Sequence, residues 1–362
     1  MTTTQYFADF SLALINRTGA YYVCRDIVQR LPQFFQGIRY WRLFLRSEPP
    51  TLIRKLLGRA MLLELCHLRV TESIPRSNGA RWRDVPTLFF DPLYVLRTHL
   101  RANDVVLCHD IGPVSHPELF DTQTTRLYRE AYQRIVAGKP GMVFVSEASR
   151  SAFVARFGDD FRFLKVIPLY VRSDLAAGEE KEPAGIQQPF LLTVAGLEKR
   201  KNHGRIIAAF EASGLRDRGY SYVFCGPRGN SAQAVQSLAE ATSGVRAFGY
   251  LSDAELRWLY RRATGFVLPS LLEGFGLPAL EAAQYGLISV VSWEGAQKEA
   301  VGEGGILVDP TSVSAIANGI VRLVELGEAE RNEKLLNLRR HAQSLSQQQF
   351  LKRWAELLGA NA

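Results

Sequence analysis

Short apolar runs alternate with longer segments of helical periodicity along most of the 362-residue chain, a rhythm that predicts strands and helices in turn. In the first half, Asp104 to Cys108 and Gly141 to Ser146 are apolar runs that close in polar loops, with a helical pattern from Thr124 to Val136 between them. A further strand is expected at Lys165 to Pro168. Runs that are apolar on both faces and are followed by helices fit buried parallel strands. The second half predicts strands at Phe190–Val194, Tyr220–Cys225, Val245–Phe248, Gly265–Leu268, Ile288–Ser292 and Ile306–Val308. Ser252 and Glu255 are spaced as a capping box ahead of Leu256, Leu259 and Tyr260, so a helix should start there. Near the end, Phe350, Leu351, Trp354, Leu357 and Leu358 form the apolar face of a last helix within Gln349 to Leu358.

The stretch Ser173 to Pro189 breaks this rhythm with Gly178, Glu179, Glu180, Lys181, Glu182, Pro183 and Gly185, and its polar, breaker-rich composition reads as an interdomain linker. The expected fold is therefore α/β, with two doubly wound Rossmann-like domains facing a central cleft. Residues 1–175 make the first and residues 186–344 the second, and a helix in 345–362 packs back on the first. The length suits two domains with a core each. In such sheets ligands bind beyond the carboxyl ends of the strands.

Composition narrows the class. Hydrophobic residues at 47% and charged residues at 22% fit a soluble globular protein. No apolar run approaches the roughly 20 residues that span a bilayer, and Met1 to Phe10 lacks the layout of a signal peptide. A cytoplasmic protein is expected, with Cys24, Cys66, Cys108 and Cys225 as reduced structural thiols. Of the net charge of +8, much is local: Arg25, Arg30, Arg39, Arg42, Arg46, Arg54, Lys55 and Arg59 interleave with apolar side chains. Two readings stay open for this stretch: a face for an anionic membrane surface, or a helix with solvated arginines over a core. Nucleic acid is not expected as a partner, because no aromatic–basic recognition motif accompanies the charge.

Two constellations carry candidate chemistry. After the strand ending at Leu268 comes Pro269-Ser270-Leu271-Leu272-Glu273-Gly274-Phe275-Gly276-Leu277-Pro278, with Glu281 eight positions after Glu273. The glycines admit close backbone approach by a ligand, and a helix opening near Pro278 offers free amides to an anion. A carboxylate at Glu281 can accept both hydroxyls of a ribose diol. The second is Ala195-Gly196-Leu197-Glu198-Lys199-Arg200-Lys201-Asn202, following the first strand of the second domain. Arg200 and Lys201 there can neutralise a departing diphosphate, and Asn202 is placed to cap the helix bearing Ile206, Ile207 and Phe210. Taken singly, each stretch has a plainer explanation, a tight turn or a solvated basic loop.

Together they resemble the family-4 retaining glycosyltransferases of the GT-B fold. The resemblance rests on Leu197, Glu198, Arg200, Lys201 and Asn202, then Glu273, Gly274, Phe275, Gly276, Pro278 and Glu281, with Gly249-Tyr250, Ser252-Asp253, Leu256, Leu259-Tyr260, Pro269-Ser270 and Asp309-Pro310 in support. It covers the whole second domain. The first domain is similar more loosely, through Asn16-Arg17-Thr18-Gly19-Ala20-Tyr21-Tyr22-Val23, through His109-Asp110, and through Ser146-Glu147-Ala148-Ser149. Departures from the family pattern are Ala195 for a glycine, Lys199 for a proline, Ile167-Pro168-Leu169-Tyr170-Val171 for the usual Ile-Pro-Asn-Gly-Val, a missing proline after Gly286-Leu287, and the single Gly19 where relatives often have two.

The resemblance implies a metal-independent, retaining transfer of a hexose from a nucleotide diphosphate sugar, with mannose from GDP-mannose favoured and no cofactor. The acceptor would be a glycan or a polyprenyl-linked sugar at the inner face of a cell membrane, in polysaccharide biosynthesis. It assigns His109, Arg200, Lys201 and Glu273 to catalysis and Gly19, Gly274, Phe275, Gly276, Leu277 and Glu281 to the donor. His109 and Asp110 go to the acceptor side, whereas His67, His99, His203 and His341 read as structural. Alternatives on the same fold are a catalytically silent nucleotide-binding or scaffold protein and another enzyme such as an epimerase.

Overall fold

The computed structural model describes residues 5–15, 19–45, 47–67, 85–171 and 177–360. The chain divides into two compact units, Met1–Leu169 with Gln348–Ala362 and Tyr170–Gln347. The first unit holds β1 (Tyr6–Asp9), β2 (Phe35–Tyr40), β3 (Leu43–Leu45), β4 (Thr87–Phe89), β5 (Val105–Cys108), β6 (Gly141–Phe144) and β7 (Phe163–Val166), in the sheet order β3-β2-β1-β4-β5-β6-β7. Every pairing is parallel except that of edge strand β3 on β2. The second unit holds β8 (Phe190–Val194), β9 (Ser221–Cys225), β10 (Val245–Phe248), β11 (Gly265–Leu268), β12 (Ser289–Ser292) and β13 (Ile306–Val308), in the order β10-β9-β8-β11-β12-β13, all parallel. Both sheets are of the doubly wound, Rossmann-like α/β kind that the sequence predicts.

Burial explains why these runs pair in parallel. Every residue of β5, β6, β9, β11 and β12 is buried, so both faces need cover, and crossover helices supply it. The strand expected at Lys165–Pro168 lies two residues earlier, at Phe163–Val166, because Pro168 has no amide to give to a ladder. The capping box forms as expected: Glu255 N donates to Ser252 Oγ at 3.3 Å and Ser252 N to Glu255 Oε2 at 2.9 Å. In the last helix, Gln347–Ala360, the side chains of Phe350, Trp354, Leu357 and Leu358 are buried. Cys24, Cys108 and Cys225 are buried thiols, and none of the four cysteines is in a disulfide.

Two expectations change. The basic stretch is not one helix: Arg39 is buried in β2 and ion-paired with Asp9, a turn and β3 follow, and the helix begins only at Thr51. The supposed linker is described from residue 177, and that part is tied to the second unit. Arg257 Nε donates to Glu179 O at 2.8 Å, Lys181 N to Ala254 O at 3.1 Å, and Glu180 pairs with Arg261 at 2.9 Å and Arg262 at 2.5 Å. Residues 173–176 of that stretch, Asn16 to Thr18 and Arg46 lie outside the described residues. Among the described residues, no helix is long and apolar enough to cross a membrane.

Candidate active site

In the second unit β8 and β11 lie side by side, and the strand order runs outward from them in both directions. Such a reversal opens a crevice at the carboxyl ends of the two strands. The loops leaving those two ends are the ones that bear Arg200, Lys201 and Glu273.

The loop after β8 is held by its neighbour. Leu197 N donates to Pro227 O at 2.9 Å, Ser231 Oγ to Leu197 O at 2.9 Å, and Lys199 N to the Asn230 side chain at 2.8 Å. A 3-10 turn at Lys199–Lys201 leads to Asn202 and then to the helix His203–Ala212. Asn202 does not cap that helix as expected. Its backbone is left-handed, with φ of 63°, whereas side-chain caps come from extended conformations. Its amide instead donates to Pro269 O at 3.0 Å and Pro310 O at 2.7 Å, fastening the basic turn to the loop after β11. Next to it, His203 Nε2 lies 3.1 Å from Gly196 O. Burial lowers its pKa to about 4, so it is a neutral packing group, in line with its structural reading.

The turn brings three predicted residues together. Lys201 Nζ donates to Glu273 Oε1 at 2.5 Å, Arg200 Nη1 lies 3.5 Å from Glu273 Oε2, and Ser270 Oγ donates to Glu273 Oε1 at 3.1 Å. Arg200 Nε also pairs with Glu198 at 2.6 Å, and Leu271 N donates to Arg200 O at 2.8 Å. Burial would raise the Glu273 carboxyl, but the adjacent Lys201 and Arg200 outweigh it and hold the group below the usual carboxylate range. Burial pulls the Lys201 ammonium below the ordinary lysine value against the attraction of Glu273. The result is a dry ion-pair cluster at the mouth of the sheet, with a second cation on its rim.

Past Glu273 the chain passes half-buried Gly274, buried Phe275 and Gly276, then enters the helix Leu277–Gln284 with Pro278 in its first turn. Gly276 has φ of 106°, which favours glycine, and a Cβ there would stand a tight 3.3 Å from the Gln297 side chain. Glu281 is half-buried on this helix and accepts a hydrogen bond from Tyr260 OH at 3.3 Å.

Gln297, a buried support of the Glu273 loop, is a residue that sequence reasoning missed. Its buried side chain accepts from Ser270 N at 3.1 Å and Ser292 N at 3.3 Å and donates to Leu268 O at 2.6 Å, clamping the chain where it leaves β11 and β12 beside the Glu273 loop. A lone glutamine on a short helix leaves no trace in a pattern of polar and apolar positions. Gln297→Leu keeps the volume but orphans these buried amides. It should cost about 3 kcal/mol in chemical denaturation and raise the donor KM. A variant as stable as its parent would show that the clamp contributes nothing.

The first unit has its own reversal, between β1 and β4. Gly19 opens the helix Gly19–Arg30 that follows β1. His109 follows β5, with Nε2 at 3.1 Å from Phe90 O and its own carbonyl receiving Ser149 Oγ at 3.1 Å. Asp110 takes Gly112 N at 2.7 Å and so closes the turn after His109. Beside them sits Asp91, also missed, which accepts from Leu93 N at 2.8 Å and Tyr128 OH at 2.9 Å. Burial raises its carboxyl above the usual value, opposed by His109. Its signal was legible: an aspartate followed by proline after an apolar run is a helix start. The predicted residues thus fall into two sets, Gly19, His109 and Asp110 in the first unit and the rest in the second.

Two doubly wound units, the second with cations and a carboxylate at its strand-order reversal, have the fold of the GT-B glycosyltransferases. Residues 178–342 match the family model of the glycosyl transferases group 1, and the chain carries that domain. Curated relatives include the O-antigen chain mannosyltransferase B of Escherichia coli, 27% identical over 262 residues that cover 69% of each chain. Another is the O-antigen chain mannosyltransferase RfbU of Salmonella typhimurium, 24% identical over 64% of this chain and 63% of that protein. Among solved structures, the sucrose-phosphate synthase of Thermosynechococcus elongatus matches with a TM-score of 0.70 and 17% identity over 98% of both chains. Anabaena HepE in complex with UDP and glucose gives 0.69 and 15% over 99% of this chain and 100% of the other.

Proposed function

We propose that this glycosyltransferase moves a mannosyl group from GDP-mannose to a glycan or lipid-linked acceptor, with retention at the anomeric carbon and without a bound metal ion. The observation that carries the reading is the Lys201–Glu273–Arg200 cluster at the strand-order reversal of the group 1 domain. The O-antigen chain mannosyltransferase names of its curated relatives favour the sugar and, with it, polysaccharide biosynthesis; an inner membrane face is the place we infer for such an acceptor.

Lys201 and Arg200 meet the diphosphate, where their charge replaces that of a divalent ion as the leaving group forms. The Gly274–Leu277 turn and Glu273 hold the sugar, and Glu281 holds the ribose diol. The bond between the anomeric carbon and the β-phosphate oxygen breaks, and the acceptor hydroxyl bonds to that carbon from the same face. Its proton passes to the departing phosphate oxygen, so no separate base is consumed. His109 and Asp110 belong to the sugar and acceptor end.

Thermal-shift measurements against a panel of nucleotide sugars test the donor. Ligand at a hundred times its Kd adds about 2.7 kcal/mol, and GDP-mannose should give the largest shift. Glu281→Ala should raise the donor KM about tenfold to a hundredfold, the worth of a charged hydrogen-bond pair, with kcat nearly unchanged. If no nucleotide sugar shifts the melting curve or is turned over, the chain is a silent scaffold.

A further inference from the structure

The helix Thr51–His67 turns two different faces outward and inward. Gly58, Met61 and Leu65 are buried, at helical spacing, and a Cβ on Gly58 would stand 2.8 Å from Leu14 O, so this face lies hard against the first unit. On the opposite side Leu52, Leu56, Arg59 and Leu63 follow one another at intervals of four, three and four residues, which makes a single stripe. Leu52 is 73% exposed, Leu56 58% and Leu63 59%, with Ile53, Lys55, Arg59 and Leu62 exposed around them. A water-soluble surface scatters its large apolar side chains singly; here they are lined up along one helix.

The charges on this helix identify the occupant. Its only acid, Glu64, is buried and neutralised by Arg42 at 2.6 Å and Arg97 at 3.1 Å, so the outward face carries leucines and cations and no carboxylate. We propose that this face docks on the surface of an anionic lipid bilayer, with the leucines entering the headgroup boundary and Lys55 and Arg59 meeting lipid phosphates. A protein partner would have to match leucines and cations in one fixed pattern, whereas a fluid anionic surface satisfies both at once. The structure also reassigns the cations. Of those picked out from the sequence, Arg39 and Arg42 are spent on Asp9 and Glu64, and Arg54 is half-buried. Lys55 and Arg59 are the ones directed to the bilayer. This docking deepens the membrane location proposed above, and its test requires neither the donor nor the acceptor, so the two can fail separately.

Flotation of the 362-residue chain with phosphatidylglycerol–phosphatidylcholine vesicles, against phosphatidylcholine alone, is the test. The wild type should float with the anionic vesicles only, and less so as salt rises. Replacing Leu52, Leu56 and Leu63 by serine should lower the partition at least about tenfold. Lys55→Gln with Arg59→Gln should lower it about fivefold per charge. Both variants should keep the wild-type melting temperature and GDP affinity, since none of these side chains is in the core or the donor site. Equal flotation of wild type and variants overturns the proposal. So does a wild-type dimer, seen in sedimentation, that the serine variant dissolves, for that would give the face to a second copy of the chain.

Discussion

Replacing Lys201 by methionine should lower kcat by about 10²–10³-fold, the loss typical when one preorganised donor to a developing anion is removed. The ammonium is buried and fixed by Glu273, so it is already oriented when the diphosphate arrives and spends nothing on reorganisation. Methionine keeps the apolar stem and removes only the charge. It also leaves the buried Glu273 with Ser270 and the more distant Arg200 as partners, which should cost about 3 kcal/mol of stability, the range for breaking a buried pair. The two effects separate by measurement: steady-state kinetics at saturating donor give the first and a denaturant titration the second. If the methionine variant lost stability yet turned over at the parent rate, Lys201 would be a structural cation and the proposed chemistry would fail.

The second unit was legible in the sequence for a physical reason. Its strands β8, β10, β11 and β13 begin and end where the apolar runs do, because each run, at the edges β10 and β13 as in the middle of the sheet, is bounded by loops with no competing pattern. The first unit was legible only from β5 onward. Tyr6–Asp9 ends in an aspartate and Phe35–Tyr40 contains Arg39, and both charges are buried because they neutralise each other across adjacent strands. A pattern of single residues reads such a pair as two polar positions and so misses both strands. The same limit applies to the site. Arg200, Lys201 and Glu273 stood out because charges at strand ends are chemically conspicuous. Gln297 and the actual role of Asn202 did not, because both act on backbone carbonyls and amides of loops distant in sequence. Asn202 even mimicked a helix cap by position, and only its left-handed backbone reveals the other task.

Glu273→Gln should separate binding from transfer. The amide is isosteric and can still accept from Ser270, but Lys201 and Arg200 lose their shared countercharge. At neutral pH a bound diphosphate then becomes the main countercharge of Lys201, while Arg200 keeps Glu198, so the variant should bind free GDP several-fold more tightly than the wild type, while kcat falls about a hundredfold or more because the sugar loses its carboxylate partner. The acid side of the stability profile should change too. Because the folded Glu273 sits below the unfolded value, about 4.5, its contribution is complete above that value and is lost as the pH falls through the lower folded one. The wild type should therefore lose stability on acidification over that window, and the glutamine variant, less stable at neutral pH, should show a shallower decline. Calorimetric titration with GDP and a pH series of denaturant melts measure both. A fall in GDP affinity together with kcat would make Glu273 a prop for the loop and not the partner of the sugar. With neither changed, the cluster would have no part in the reaction.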